Sequence, residues 1–235
     1  MEFVKDNIAQ INDVLKGKSA IEIIKYFNDN LGKEITFGTS LGAEDQVITQ
    51  MLASIEAVVP VFTLDTGRLF SQTYDLIDST SQKYKITIKP YSPVNTEVED
   101  MVVEHGMNLF FKSIELRKTC CQTRKLRPLA RALAGRKAWF TGLRRSQSVT
   151  RIDMKIVEWD ANSNMLKINP LIDWSEDEVW AYIKENGIPY NPLHDQDYPS
   201  IGCQPCTRAI MPGEDVRAGR WWWENPDTRE CGLHK

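Results

Sequence analysis

Five cysteines stand out among the 235 residues, and their spacing separates them into four plus one. Cys120 and Cys121 are adjacent, Cys203 and Cys206 form a Cys-x-x-Cys pair, and Cys231 stands apart in Glu230-Cys231-Gly232-Leu233-His234. Four readings compete for the paired set. Free cysteines are often simple core residues, but they seldom cluster in this way. A redox dithiol at Cys203-Gln204-Pro205-Cys206 has the right spacing, yet it lies in a proline-rich segment rather than at a strand-to-helix turn. A Cys₄ zinc site fits the number, although such sites draw ligand pairs from Cys-x₂₋₄-Cys knuckles. A cubane iron–sulfur cluster places its irons at separate corners, so neighbouring thiolates can each take a different iron. That geometry favours a [4Fe-4S] cluster on Cys120, Cys121, Cys203 and Cys206 over zinc. Cys231 is either an incidental exposed thiol or a mobile nucleophile, with Gly232 as hinge and His234 close enough to influence it. Arg217 and Arg220, shortly upstream, would raise its thiolate fraction or hold an anionic substrate.

The net charge of −3 conceals an asymmetry. Eleven Lys and Arg residues and no Asp or Glu fall between Arg117 and Arg151, so the remainder carries 18 basic against 32 acidic side chains. Such a block needs an anionic partner or generous solvent, a solvated helix face being the plainer alternative. The composition, 42% hydrophobic and 26% charged, is that of an ordinary soluble globular protein. The chain is long enough to bury a real core, so the cysteines are not needed as disulfide staples. Met1 to Asp6 show no basic region followed by an apolar run, and no stretch approaches a membrane span. The expectation is a protein of the reducing cytoplasm, with no membrane association.

The elements that must position these residues follow from periodicity. The first thirty residues read as two helices, the second opened by a Ser19–Glu22 capping box and stopped by Gly32. Strands are expected over Ile35–Thr39, Val58–Leu64, Ile86–Lys89, Ala138–Thr141 and Lys155–Trp159, and helices over Glu44–Ser54, Phe70–Lys83 and Glu97–His105. This alternation predicts an α/β fold, a mostly parallel sheet with helices on both faces. A second capping box, Ser175 to Glu178, opens a helix that runs to Gly187. Beyond it, Pro189, Pro192, Pro199, Pro205, Pro212 and Trp221-Trp222-Trp223 mark an extended C-terminal tail. Residues 1–188 are thus expected to form a nucleotide-binding domain carrying the first cysteine pair, and 189–235 a segment with the second pair and Cys231.

Ligands of parallel sheets gather at the carboxyl ends of the strands. Ser40, Gly42 and Asp45 lie where the first strand turns into a helix, with small residues and exposed amides suited to an oxyanion. Leu64-Asp65-Thr66-Gly67 ends the second strand. Gly142, Arg144 and Arg145, within Thr141–Ser148, offer two guanidinium groups suited to phosphate or sulfate. Three such loops suggest a nucleotide bearing more than one anionic group.

From Phe37 to His234 the chain resembles the assimilatory adenylyl-sulfate (APS) reductases, the iron–sulfur branch of the APS/3′-phosphoadenylyl-sulfate (PAPS) reductase family. The resemblance is carried by Cys120-Cys121-Gln122-Thr123-Arg124-Lys125, Ile201-Gly202-Cys203-Gln204-Pro205-Cys206 and Glu230-Cys231-Gly232-Leu233-His234. It implies an adenine nucleotide alpha hydrolase-like fold and a [4Fe-4S] cluster on the two cysteine pairs. It makes Cys231 the nucleophile, with Lys125, Arg217, Arg220 and His234 lining the phosphosulfate pocket. It further implies thioredoxin-dependent reduction of APS to sulfite and AMP through an enzyme S-sulfocysteine, with a thioredoxin or glutaredoxin-like thiol donor. A homo-oligomer is left open, and no nucleic-acid partner is expected. The competing readings are a PAPS reductase or dual-specificity enzyme, a Cys₄ zinc protein binding nucleic acid through the basic block, and a tRNA-thiolating enzyme with a similar loop. The last two give Cys231 no role.

Overall fold

The computed structural model of the protein describes residues 2–147, 151 and 153–225. Its strands are β1 (Ile35–Gly38), β2 (Val61–Leu64), β3 (Ile88–Tyr91), β4 (Ala138–Phe140), β5 (Val157–Asp160) and β6 (Met165–Ile168). They form one sheet in the order β3-β2-β1-β4-β6-β5. β1 pairs in parallel with β2 and β4, and β4 with β6, while β5 and β6 form an antiparallel pair at one edge. The expected mostly parallel α/β sheet is therefore present.

Two strand boundaries shift because of proline. β2 starts at Val61 rather than Val58, since Pro60 has no N–H for the ladder. The Pro60 carbonyl instead accepts from Phe37 N at 2.9 Å. β3 runs on through Pro90 to Tyr91, which an edge strand tolerates. β6 is absent from the sequence expectations. Its Met165-Leu166-Lys167-Ile168 run is only four residues long and follows a turn in which Asn164 adopts φ +53°.

The helices are α1 (Ile8–Leu15), α2 (Ala20–Leu31), α3 (Ala43–Ser54), α4 (Ser71–Tyr84), α5 (Asn95–His105), α6 (Ile114–Cys121), α7 (Arg127–Leu133) and α8 (Glu176–Glu185). Both expected capping boxes are made. Glu22 accepts from Ser19 N at 2.8 Å and Glu178 from Ser175 N at 2.7 Å. Gly32 ends α2 with φ +50°, a conformation that glycine adopts without steric cost. Among the described residues, no helix is long and apolar enough to cross a membrane.

The described residues within Met1–Thr63, Leu76–Lys89 and Leu133–Tyr190 form one compact unit, and those within Leu64–Asp75, Pro90–Ala132 and Asn191–Lys235 another. The first has a core of Ile24, Phe27, Ile35, Phe37, Ile48 and Phe140, all fully buried. The second has a smaller apolar cluster in which Met101, Leu109, Phe110 and Trp221 pack with Cys120, Cys121 and Cys206.

Candidate active site

In the first unit the turn from β1 into α3 is held by its own side chains. Asp45 accepts from both Ser40 N (2.6 Å) and Ser40 Oγ (2.7 Å). Gly42 N donates to Ser40 Oγ at 3.3 Å, and Leu41 N to Thr39 Oγ1 at 3.1 Å. Leu41 takes φ +62° and is buried in the core. That conformation is costly for a branched side chain, and the packing around it helps to hold it there. Burial pushes the Asp45 carboxyl up to about 6; the two Ser40 hydrogen bonds oppose that shift and the Glu44 charge adds to it. A Cβ on Gly142 would overlap the Asp45 carboxylate and lie 3.1 Å from Glu44 Cβ, so only glycine lets the turn after β4 approach this closely.

The arginines of that turn are engaged within the unit. Arg144, 4% exposed, donates from Nε to Glu44 Oε1 at 2.8 Å and from Nη1 to Ser146 Oγ at 2.7 Å. Gln147 Nε2 reaches the same Glu44 oxygen at 2.9 Å. Arg145 pairs with Asp173 and donates to the Met154 carbonyl at 2.8 Å. Glu44 thus ties the two turns together. Sequence reasoning did not single it out, because its partners lie about a hundred positions away and nothing local marks the pairing.

The second unit assembles the paired cysteines. α6 is capped by Ser113, whose Oγ accepts from Leu116 N at 3.2 Å, and it ends on Cys120 and Cys121. The chain continues through a widened π-helical turn, Gln122–Leu126, into α7. Such turns are rare and concentrate at functional sites. Cys203 precedes a short 3₁₀ turn, Gln204–Cys206, that starts with Pro205 close to its first position. Gln204 N donates to the Arg68 carbonyl at 2.8 Å, and an antiparallel bridge between Thr207 and Arg220 brings Trp221 N to the Cys206 carbonyl at 3.1 Å. All four cysteines line one pocket, together with Arg68, Phe110, Arg117, Arg124, Lys125, Pro205, Arg220 and Trp221. Two cysteine pairs some eighty residues apart are therefore neighbours.

The pocket is apolar in packing and cationic in charge. Burial pushes the Cys206 thiol up to about 12, with Cys203 and Cys121 adding to the shift and Lys125 opposing it. Burial also raises Cys120, against the pull of Arg124, Arg68 and Lys125. Thr66 Oγ1 lies 3.2 Å from Cys203 Sγ, and Arg124 Nη1 donates to the Thr66 carbonyl at 2.7 Å. Arg117 is wholly buried and lies 4.8 Å from the Trp221 ring centroid. It donates to both Glu224 oxygens, at 2.9 and 2.8 Å, the fork geometry typical of a strong guanidinium–carboxylate pair. Arg220 lies at the same distance from that ring and donates to Ser200 Oγ at 3.3 Å. A Cβ on Gly202 would fall 2.6 Å from the Arg220 guanidinium carbon, so a side chain there would displace the guanidinium.

The donor set fits an anionic cluster. Arg124 Nε and Trp221 Nε1 are buried without an acceptor among the described residues, and both residues line the pocket. Buried donors of this kind require acceptors, and the sulfurs of a thiolate-bound cluster would supply them. Among the described residues no group of three or more His, Cys, Asp or Glu converges on a single ion. Ligation of separate irons at the corners of a cubane needs no such convergence.

Comparison with known proteins decides the family. The sequence pattern of the phosphoadenosine phosphosulfate reductase domain matches residues 34–209. Adenosine 5'-phosphosulfate reductase of Allochromatium vinosum is 54% identical over 92% of this chain and 84% of its own length. The chain belongs to the APS/PAPS reductase family. Another member carrying the adenosine 5'-phosphosulfate reductase name, from Sinorhizobium fredii, is 51% identical over 95% of this chain and 89% of its own length. Among solved structures, the phosphoadenylyl-sulfate reductase of Candida auris in a phosphate complex superposes with a TM-score of 0.76 at 30% identity, covering 89% of this chain and 99% of that one. Yeast FAD synthetase is similar in fold alone, with a TM-score of 0.56 at 16% identity over 81% of this chain and 66% of that one.

For this member of the APS/PAPS reductases, the structure distributes the expected substrate residues between the two units. Ser40, Gly42, Asp45, Gly142, Arg144 and Arg145 are in the first. Leu64, Asp65, Thr66, Gly67, Lys125, Arg217 and Arg220 are in the second. There Asp65 organises its own turn, its Oδ1 accepting from Gly67 N at 2.8 Å and from the Tyr74 hydroxyl at 2.7 Å, while Gly67 takes φ +68°. Arg217 caps a turn near Arg220, its amide donating to Asp215 Oδ1 at 2.8 Å, and is half-buried. Cys231 and His234, like Ser148, lie outside the described residues. Arg117, Arg124 and Glu224 are pocket or pocket-supporting residues that sequence reasoning passed over. The unbroken basic run pointed to a charged face, and Glu224 lies 107 positions from its partner.

Proposed function

We propose that the protein reduces adenylyl sulfate to sulfite and AMP in sulfate assimilation. The observation that carries this reading is the single pocket joining Cys120, Cys121, Cys203 and Cys206 with Lys125 and Arg220. The Cys231 thiolate attacks the sulfur of adenylyl sulfate, the bond from that sulfur to the bridging phosphate oxygen breaks, and AMP departs. The enzyme is left as Cys231 S-sulfocysteine. A thiolate of a reduced thioredoxin or glutaredoxin-like dithiol donor then attacks the Cys231 sulfur and sulfite leaves with the bonding electrons. The donor's second thiol resolves the mixed disulfide and regenerates Cys231, so the donor supplies both electrons.

Lys125 and Arg220 carry fixed positive charge beside the cysteine pocket, where it favours the negative charge that shifts onto the AMP phosphate. Ser40, Gly42, Asp45, Gly142, Arg144 and Arg145 shape the nucleotide-binding turns, and Arg217 and His234 belong with the phosphosulfate. Cys120, Cys121, Cys203 and Cys206 are the ligands of a [4Fe-4S] cluster, which anchors the Cys120–Lys125 segment and contributes to the local field without being needed as an electron carrier. The chain works in the cytoplasm, where a reduced dithiol donor is at hand.

Relatives of about half-identical sequence carry the adenosine 5'-phosphosulfate reductase name, which supports APS over its 3′-phosphorylated counterpart. Three of the eleven basic residues of the block, Arg117, Arg124 and Arg144, are buried and bonded inside the protein rather than offered to a nucleic acid. Sulfite release assayed with reduced thioredoxin and either APS or PAPS tests the reading. Turnover with APS is expected; turnover with PAPS alone would reassign the substrate, and none with either would overturn the function.

A further inference from the structure

The mechanism leaves an exposed aromatic cluster in the second unit unused. Phe111 is 47% exposed and Trp222 37% exposed, and they adjoin one another, where an apolar patch is more informative than a single exposed residue. The Phe111 ring centroid lies 4.4 Å from Trp223 and 6.3 Å from Trp222, and the two tryptophans are 4.8 Å apart. On the inner side the cluster is joined to the core, since the Phe110 ring lies tilted against Phe111 at 4.6 Å and Trp223 packs against the cysteine-bearing apolar cluster. The cluster is thus anchored on its inner side, while Phe111 and Trp222 keep part of their surface exposed. Aromatic side chains, Trp above all, present large contact area at small entropic cost and dominate protein–protein hot spots.

The chain itself indicates which partner this face serves. The described residues end two positions after Trp223, and Cys231 follows Trp223 by eight positions. Eight residues reach at most roughly 28 Å, so a protein that attacks the Cys231 sulfur must come within that radius of the cluster. We propose that Phe111 and Trp222 form the docking surface for the protein dithiol donor that discharges Cys231. This rests on the S-sulfocysteine reading above and extends it by separating docking of the donor from the chemistry of the substrate. Phe111 and Trp222 belong neither to the cysteine pocket's lining nor to the nucleotide turns, and both are partly exposed.

The test uses the cluster-loaded full chain with Phe111→Ser and Trp222→Gln, singly and together. Formation of the sulfonate adduct from adenylyl sulfate is followed by intact mass, and sulfite release is then measured with reduced thioredoxin and, separately, with dithiothreitol. Adduct formation and dithiothreitol-driven release should stay within about twofold, while kcat/KM for thioredoxin falls about tenfold or more, as expected for loss of an interface hot spot. Unchanged thioredoxin kinetics would overturn the proposal. So would a matching loss with dithiothreitol, which would place the cluster against the chain's own Cys231 segment, or conversion of a dimer to a monomer, which would make the face a self-interface. Absence of any adduct in the unsubstituted protein would instead refute the underlying reaction and remove this inference with it.

Discussion

At the residue scale, the charges nearest the cysteines divide into those that build the pocket and those that serve the substrate. Arg117 belongs to the first group. Removing one partner of a wholly buried, doubly bonded pair leaves the other uncompensated, at about 3–5 kcal/mol. Glu224→Gln should therefore lower the chemical-denaturation midpoint sharply, and an unchanged midpoint would show that Arg117 finds another partner. The proposed reaction puts Lys125 in the second group: Lys125→Gln should slow sulfonation of Cys231 far more than it lowers iron per chain, and equal loss of both would assign it to the pocket. Asp45 makes a pH-dependent contribution. Its folded carboxyl titrates at about 6, above the usual 3.8. As pH rises from about 4 to 6 the unfolded chain gives up this proton first, so folding stability declines across that window by about 3 kcal/mol from this group. Asp45→Asn should flatten that part of the stability profile relative to the parent, and an unaltered slope would contradict the burial argument. The cysteine partition could be read from spacing alone. The partners of Arg117, Arg124 and Arg144 could not, because each is reached only through the fold.

At the scale of elements, strands β1 to β5 and both capping boxes follow from local patterns, since short β-branched runs and Ser-x-x-Glu signals place them within a few residues. β6 escaped because a four-residue run has too little periodicity to distinguish itself. The π turn after Cys121 escaped because no local composition marks a widened turn. The clasp between Thr207 and Arg220, which holds the second cysteine pair, depends on Gly219, where a Cβ would collide with the Arg208 carbonyl. Gly219→Ala should cost about 1–3 kcal/mol through overpacking and hasten iron loss under chelator challenge. Iron retention equal to the parent would mean that the clasp is dispensable.

At the scale of the whole molecule, the two units differ in what sustains them. The first has an extensive aliphatic and aromatic core of its own, whereas three of the seven buried members of the second unit's cluster are cysteines. Metal binding to such a set is coupled to folding. Removing the iron of the proposed cluster should therefore expose amides around Met101, Phe110 and Trp221 to hydrogen exchange while Ile35, Phe37 and Phe140 stay protected; uniform protection would argue that the second unit stands without a cluster. The charge asymmetry legible in the sequence is real, but folding consumes part of it internally, which composition alone does not reveal.

Everything proposed for the reaction depends on Cys231 becoming sulfonated by adenylyl sulfate. Intact-mass measurement of the reduced, cluster-loaded protein after incubation with that nucleotide tests this most directly. One sulfonate adduct per chain is expected, absent in Cys231→Ser and lost on adding reduced thioredoxin. No adduct, or one that persists in Cys231→Ser, would contradict it.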